Sequence, residues 1–431
     1  MSSANAPAEW AAPRPAAPDC VEKVRCRLCD GTRLTTVVEL TPTPPGNNFL
    51  RTDELSLAEP EYPLELRFCE DCHHVQLGHV VRPDILFRAN YSYVSGTSPV
   101  FVAHLRDYAR DMVERFGLQK GAVVADIGSN DGTCLKFFQD AGCRVVGIDP
   151  AKDLAALATA AGIDTRADFF DRACAARLRA ELGPAAFITT HNACAHIDDL
   201  RSVFEGVADW LADDGCFGVE VGYLMDVFEN VWFDTIYHEH VDYHSVAPFD
   251  RFFKSVGLEL LSAERVAPQG GSIRLLGQKL GGPRRRDASV DALIALEREK
   301  ALDRAETFMS FGTRINGVRD DLSAIVRRLK GEGKTIAGFG APTKSTTLLT
   351  HFGLGNGILD YIVDDNPIKQ GLFSPKFHIP IFPNAKIYED RPDYLLVLAW
   401  NFADSIMTRH ARFREEGGRF ILPMPVARIV E

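Results

Sequence analysis

The sequence predicts an α/β protein of three units: a small metal-binding domain, a Rossmann-like domain on a mostly parallel sheet, and a second Rossmann-like α/β domain at the C-terminal end. Three observations predict it. Two CxxC pairs lie about forty residues apart near the start, and two apolar strands, one beginning at Val123 and the other at Thr335, each run into a glycine turn and a helix.

With 431 residues, the chain exceeds the size of a single hydrophobic core, and its 46% hydrophobic and 25% charged residues suffice to build several. The expected division is 1–20 a disordered tail, 21–86 the metal-binding domain, 87–283 the first Rossmann-like domain and 284–431 the second. The stretch from Met1 to Asp19 is rich in Ala and Pro and lacks the basic start and apolar block of a signal peptide. No run approaches the roughly 18 consecutive apolar residues of a membrane helix, so no membrane partner is expected. A net charge of −11 argues against nucleic acid, which is held mainly by neutralising phosphates. Ten cysteines, four of them in CxxC pairs and the rest scattered in apolar runs, suit a reducing, cytoplasmic setting. A monomer is expected.

Cys26-Arg-Leu-Cys29 and Cys69-Glu-Asp-Cys72 supply two knuckles, each placing two sulfurs on one tight turn. Four soft ligands complete the tetrahedral shell of zinc and leave no position for water, so the metal is expected to be structural. A redox role fits less well, because thioredoxin-type motifs sit on a βα turn. His73 and His74 follow the second knuckle as substitute ligands.

After Asn90-Tyr91-Ser92-Tyr93 and a helical run from Phe101 to Arg115, a strand at Val123 ends in Asp126-Ile-Gly128-Ser129-Asn130-Asp131-Gly132, and a second strand from Arg144 ends in Asp149-Pro150. About twenty residues separate the turn from this second acid, the spacing at which a carboxylate accepts ribose hydroxyls. The turn lacks GxGxxG. Its early carboxylate would repel a pyrophosphate but suits the sulfonium and amino group of S-adenosylmethionine, the expected cofactor. Further strands are expected at Thr165 to Phe170, Ala186 to His191 and Gly215 to Val221, with helices between. Leu258 to Val266 and Ser272 to Leu280 form a terminal antiparallel hairpin, as on a seven-stranded methyltransferase sheet. Asp168 and Phe169, at the end of the third strand, are placed beside the adenine.

Phe233-Asp-Thr-Ile-Tyr237-His-Glu239-His240-Val-Asp-Tyr243 follows the fifth strand by about a dozen residues, in a loop at the carboxyl edge of the sheet where α/β ligands bind. His-Glu-His lacks the i, i+4 spacing of a helical metal site. General acid and base work is the better reading: a His can take a proton near neutrality, a Glu can orient it and a Tyr can donate to an oxygen.

Together with His191-Asn192-Ala-Cys-Ala-His196, Gln-Gly-Gly-Ser-Ile-Arg274 and Gly-Phe-Gly340-Ala-Pro-Thr-Lys344, these motifs resemble the nucleotide-sugar C-methyltransferases of deoxysugar biosynthesis, among them the TDP-sugar C-3′-methyltransferases of antibiotic sugars. The resemblance runs from about Cys26 to the C-terminus. It implies a zinc domain, a middle domain for S-adenosylmethionine and a C-terminal domain that helps to hold the nucleotide sugar. It also implies attack on the methyl group by a sugar carbon next to a ketone. The implied active-site residues are Tyr91, His196, Tyr237, Glu239 and His240, with Tyr91 preferred to Tyr93. His240 is expected as base or base partner, Tyr237 as relay or enolate donor, and Glu239 as the orienting group. Asn192 joins the expected cofactor site of Asp126, Gly128, Ser129, Asn130, Asp149, Pro150, Asp168 and Phe169. Cys194 stands where an aliphatic residue is expected.

A charged helical stretch from Asp287 to Lys330 opens the C-terminal domain. The strand from Thr335 then enters Gly340-Ala-Pro-Thr-Lys344-Ser345, whose backbone NH groups, with Lys344 and Ser345, are expected to hold the substrate diphosphate; a following strand ends in Asp364-Asp365-Asn366. Two alternatives remain at this level: an NAD-dependent nucleotide-sugar oxidoreductase or epimerase, and a non-catalytic zinc-containing binding protein.

Overall fold

The computed structural model describes residues 19–86 and 94–430, and it has the three-part α/β architecture expected. In the first part the strands Leu34–Thr43, Tyr62–Cys69 and Val75–Leu77 form an antiparallel sheet beside the two knuckles. Its alternating burial along Tyr62–Cys69, with Leu64, Leu66 and Phe68 inward, is the period-2 pattern of a half-buried strand. Cys20–Glu22 pairs separately with His79–Val81.

The middle sheet has seven strands in the order Leu258–Val266, Ser272–Lys279, Leu211–Gly222, Ala185–His191, Val123–Ile127, Arg144–Ile148, Thr165–Arg166. All neighbours are parallel except at Ser272–Lys279, which is antiparallel to both flanking strands. Val123–Ile127 is buried along its whole length, as a strand covered by helices on both faces must be. The chain reverses direction across the sheet between Val123–Ile127 and Ala185–His191, and the carboxyl ends at that switch open the crevice where α/β ligands bind. The helix Pro99–Phe116 packs beside this region, started by Ser98, whose hydroxyl accepts from Phe101 N, and by Pro99 at the first helical position.

Two boundaries differ from expectation. The third strand is only Thr165–Arg166, because Asp168 N bonds back to Arg166 O at 2.9 Å and the chain turns out of the sheet. The single helical stretch from 287 to 330 is two helices, Ala288–Glu299 and Ala305–Gly331, broken where Ala301 takes a positive φ of 54°. The first is capped by Asp287, whose carboxylate accepts from Ser289 N at 2.8 Å.

The C-terminal sheet runs Ile381–Phe382, Ile362–Val363, Ile336–Phe339, Tyr394–Val397, Arg419–Leu422, Arg428–Val430, parallel but for the last strand. Buried residues of all three parts join in one apolar core. Phe68 of the first sheet packs on Phe308 of the long helix, and Phe233 of the middle domain stacks on Phe352 of the last. No helix among the described residues is long and apolar enough to cross a membrane.

Candidate functional site

The four cysteines of the two knuckles converge. Their sulfur atoms all lie within 4.8 Å of one another, with Cys26 to Cys72 at 3.5 Å and Cys29 to Cys69 at 3.6 Å. These separations are far too long for disulfides, which close at about 2.05 Å. They match the edge of a tetrahedron with Zn–S bonds of about 2.3 Å. Cys26, Cys29, Cys69 and Cys72 therefore fit zinc. His73 and His74 do not join this set: His73 stacks on Phe68, and His74 turns its Nε2 to Asp242.

At the carboxyl edge of the middle sheet, the turn after Val123–Ile127 is shaped by Gly128. Its φ is +74°, and a Cβ there would stand 2.7 Å from the Ala193 Cβ, so only glycine fits. Asn130 also has a positive φ, and its backbone NH donates to Asp149 Oδ2 at 2.8 Å. Asp149 Oδ1 accepts from Ala151 N at 2.8 Å across Pro150, so two peptide groups aim the carboxylate into the crevice. Burial raises the Asp149 carboxyl above its ordinary range, offset by those two bonds. Asp126 Oδ1 and Ser129 Oγ are buried without a hydrogen-bond partner, as are both ring nitrogens of His191. Asp126 Oδ1 and His191 Nδ1 face each other at 4.0 Å, so this buried polar cluster lies at the base of the turn. Asn192, with φ of 58°, follows the strand Ala185–His191 at the same edge. This group fits S-adenosylmethionine. Asp168 and Phe169 lie farther out: Asp168 pairs with Arg177, and the Phe169 ring is 65% exposed.

The segment after the fifth strand folds into a compact turn. His240 Nδ1 lies 3.0 Å from Thr235 O, and because a carbonyl can only accept, this nitrogen carries the hydrogen. Nε2 then bears the lone pair and accepts the Tyr237 hydroxyl at 2.7 Å. Burial, reinforced by the nearby His196, pushes the His240 imidazole well below its ordinary value, so the resting ring is neutral, with its lone pair at Nε2. The His196 ring stands edge-on to His240 with centroids 4.8 Å apart, and burial lowers it to about 4. His196 does not cap the following helix; Asp199 does, accepting from Ser202 N. His238 faces away, its Nε2 3.3 Å from Tyr62 O in the first domain.

Glu239 is buried, and its Oε1 accepts from Asn47 Nδ2 at 2.8 Å. Asn47 in turn accepts the Thr343 hydroxyl at 2.5 Å, so one carboxylate ties all three domains together. Burial pushes the Glu239 carboxyl up to about 7 against the opposing Asn47 bond and the Lys369 charge.

The C-terminal turn repeats the middle one. Gly340 has φ of 86°, a Cβ on it would meet Ala399 Cβ at 2.6 Å, and Ala341 N donates to Asp364 Oδ2 at 2.6 Å. Here, however, Lys369 Nζ closes on Ala341 O at 2.7 Å. Lys344 does not stand free at the surface. Its ammonium lies 3.8 Å from the centroid of the Trp400 ring, lowered by burial to about 8 against the attraction of Asp234. Asp234 is fully buried, accepts from Trp400 Nε1 at 2.7 Å and is pushed by burial up to about 6. Ser345 gives its hydroxyl to Pro342 O at 2.7 Å and is buried, so it offers no proton to a phosphate.

The structure thus brings together His196, Tyr237, Glu239 and His240, and separately Asp126, Gly128, Ser129, Asn130 and Asp149. Tyr91 and Tyr93 lie outside the described residues. Asn47, Thr343, Lys369 and Asp234 were missed as site residues. Asp234 and Thr343 had a signal, their places inside the Phe233 to Tyr243 and Gly340 to Lys344 motifs.

The chain is similar to known proteins over most of its length. Residues 26–87 match a zinc binding domain family, 101–263 a methyltransferase domain family and 267–425 a C-methyltransferase C-terminal domain family. The chain is 36% identical over 405 residues to the C-methyltransferase NovU of Streptomyces niveus, covering 94% of this chain and 96% of that protein. Among solved structures, a SAM-dependent methyltransferase from Anabaena variabilis ATCC 29413 aligns with 44% of this chain and 89% of its own at 18% identity and a TM-score of 0.34. Magnesium protoporphyrin IX methyltransferase from Synechocystis PCC 6803 aligns with 41% of this chain and 83% of its own, at 14% identity and a TM-score of 0.33.

Proposed function

Because the chain belongs to the C-methyltransferase family and uses S-adenosylmethionine, we propose that it methylates a ring carbon next to the ketone of a nucleotide-linked, TDP-type 4-keto-deoxysugar, through an enolate. The observation that carries this reading is the Tyr237–His240 pair, with the His240 lone pair committed to the phenol and its Nδ1 hydrogen held on Thr235 O. A proton taken up at Nε2 passes through that hydroxyl. Tyr237 thus accepts the ring proton as it hands its own to His240, leaving a neutral phenol, an imidazolium and the enolate. Glu239 fixes the turn through Asn47, and His196 packs against the ring that gains charge. Lys344, a half-buried cation beside the turn, supplies positive potential for the substrate diphosphate or the developing enolate oxygen.

Asp149 and Asp126 hold the cofactor by its ribose and its cationic end, with Gly128, Ser129, Asn130, Pro150 and Asn192 completing the contacts and Asp168 and Phe169 at the outer, adenine end. Bound S-adenosylmethionine supplies the electrophilic methyl group. The C-terminal domain helps to hold the nucleotide, a reading supported by the half-buried Lys344 and by the match of residues 267–425 to a C-methyltransferase C-terminal domain. That match favours this role over an NAD-dependent oxidoreductase built on the same turn.

Tyr237→Phe and His240→Ala are the test. Turnover with a TDP-4-keto-deoxysugar should fall about 100-fold or more, the scale of general acid–base catalysis, while both ligands still bind. Wild-type turnover in both variants would remove the pair from the chemistry.

A further inference from the structure

We propose that Asp242 is a positioning residue: a buried carboxylate by which the zinc-binding domain holds the Tyr237–His240 turn in place. The proposal rests on the proton-handling role given to that pair. Asp242 and Tyr243 form a two-residue strand that pairs antiparallel with Val75–Leu77 and so ends the four-stranded sheet of the zinc-binding domain. The motif at Tyr237 to His240 is therefore more than a loop of the middle sheet. Two residues on, its chain becomes part of another domain.

A two-residue strand has too few ladder bonds to fix its own register, and a slip by one residue would turn Asp242 and Tyr243 to opposite faces. The side chains supply what the ladder lacks. Asp242 is fully buried with Oδ1 2.7 Å from His74 Nε2, and His74 lies two residues after Cys72 of the second knuckle. The Arg27 charge also acts on Asp242. Arg27 lies between the cysteines of the first knuckle with its side chain 2% exposed, bonded to Leu77 O at 3.1 Å and Asp198 Oδ1 at 3.0 Å. The His244 ring stacks on His74 on one side and on Phe249 on the other.

Burying a carboxylate is costly, and a well-packed apolar residue would serve stability as well. What the charge adds is a single arrangement, because only one register brings it to His74 and Arg27. That arrangement reaches the reacting groups by two short routes. Tyr243 donates its hydroxyl to Thr235 O at 3.3 Å, the same carbonyl that receives His240 Nδ1–H. Val241 N donates to Ala195 O at 2.7 Å, beside His196, while its own carbonyl accepts from Leu77 N at 2.9 Å.

Asp242→Asn tests this, with His74→Phe as a second variant that keeps the ring stack and removes the hydrogen bond. Each is measured for zinc content, for the affinities of S-adenosylmethionine and the nucleotide sugar, for kcat and, by NMR, for the His240 Nδ1 proton held on Thr235 O. The expected result is one equivalent of zinc, both affinities within about threefold, a kcat lowered about 10- to 100-fold, and a Nδ1 proton that exchanges faster. Added to Tyr237→Phe, Asp242→Asn should lower kcat little further, since it acts through that pair. Unchanged kcat in both variants, fully additive losses, or failure of both variants to fold with zinc would each overturn the positioning role. If Tyr237→Phe alone keeps wild-type turnover, the reading of the pair falls and takes this proposal with it; a dead Tyr237→Phe beside a fully active Asp242→Asn overturns this proposal only.

Discussion

Glu239 carries a carboxyl pushed up to about 7, and this has a consequence that can be measured away from turnover. A raised folded-state value means that folding favours the protonated form. The stability gained is fully present below the ordinary glutamate value of about 4.3 and is lost as pH rises towards 7. In urea unfolding, the wild type is expected to lose up to about 1.4 kcal/mol per pH unit through this group between roughly pH 4.5 and 7. Glu239→Gln should remove that slope, and an identical slope in the variant would show that the carboxyl titrates normally. Asp149 behaves differently because its two oxygens are fixed by Asn130 N and Ala151 N. Asp149→Ala should weaken S-adenosylmethionine by about 1–3 kcal/mol, the cost of losing a buried hydrogen-bonding carboxylate, and leave nucleotide-sugar affinity nearly unchanged. Isothermal titration with each ligand checks this; equal losses would take Asp149 out of the ribose role.

At the level of elements, the two glycine turns show what a sequence discloses and what it hides. Gly128 and Gly340 each follow a buried strand, each has a positive φ, and each faces an alanine from the loop after the next parallel strand, Ala193 and Ala399. Strand, turn and following acid are local in sequence, so both turns and both acids, Asp149 and Asp364, were legible. The CxxC knuckles were legible for the same reason, since each places two ligands on one tight turn. Lys369, which closes the second turn, and Asn47, which bonds Glu239, were not. They arrive from distant segments and belong to no period or motif. The short third strand escaped because Ala167, Phe169 and Phe170 continue an apolar pattern that the backbone abandons at Arg166. Gly128→Ala tests the turn directly. The added Cβ meets Ala193 at 2.7 Å in a backbone region that costs other residues about 1–3 kcal/mol, so S-adenosylmethionine affinity should fall at least tenfold while zinc content stays at one equivalent. Unaltered affinity would mean that the turn does not contact the cofactor.

Across the whole molecule, one apolar cluster runs through all three domains, which meet at Glu239, where the first domain contributes Asn47 and the last Thr343. Four cysteines fill the tetrahedral shell of zinc and leave no position for water, so the part of the metal is to hold the first domain folded. Cys69→Ser should therefore lose the metal and, with it, much of the thermal stability, as read by metal analysis and calorimetry; full stability without zinc would contradict a structural role. The same convergence of domains explains why the chemistry was only partly readable. Tyr237, Glu239 and His240 are neighbours in sequence, whereas Asp234 meets Lys344 and Trp400 only when the middle and last domains close on each other. The claim that unites these parts is carbon methylation through an enolate, and one measurement addresses it most directly. A TDP-4-keto-deoxysugar carrying deuterium on the carbon beside the ketone is incubated with the enzyme and methyl-labelled S-adenosylmethionine, and the product is analysed by mass and NMR. The account predicts a new carbon–carbon bond at that position with the deuterium lost; a methyl group on oxygen or nitrogen, or a C-methylated product that retains the deuterium on that carbon, would contradict it.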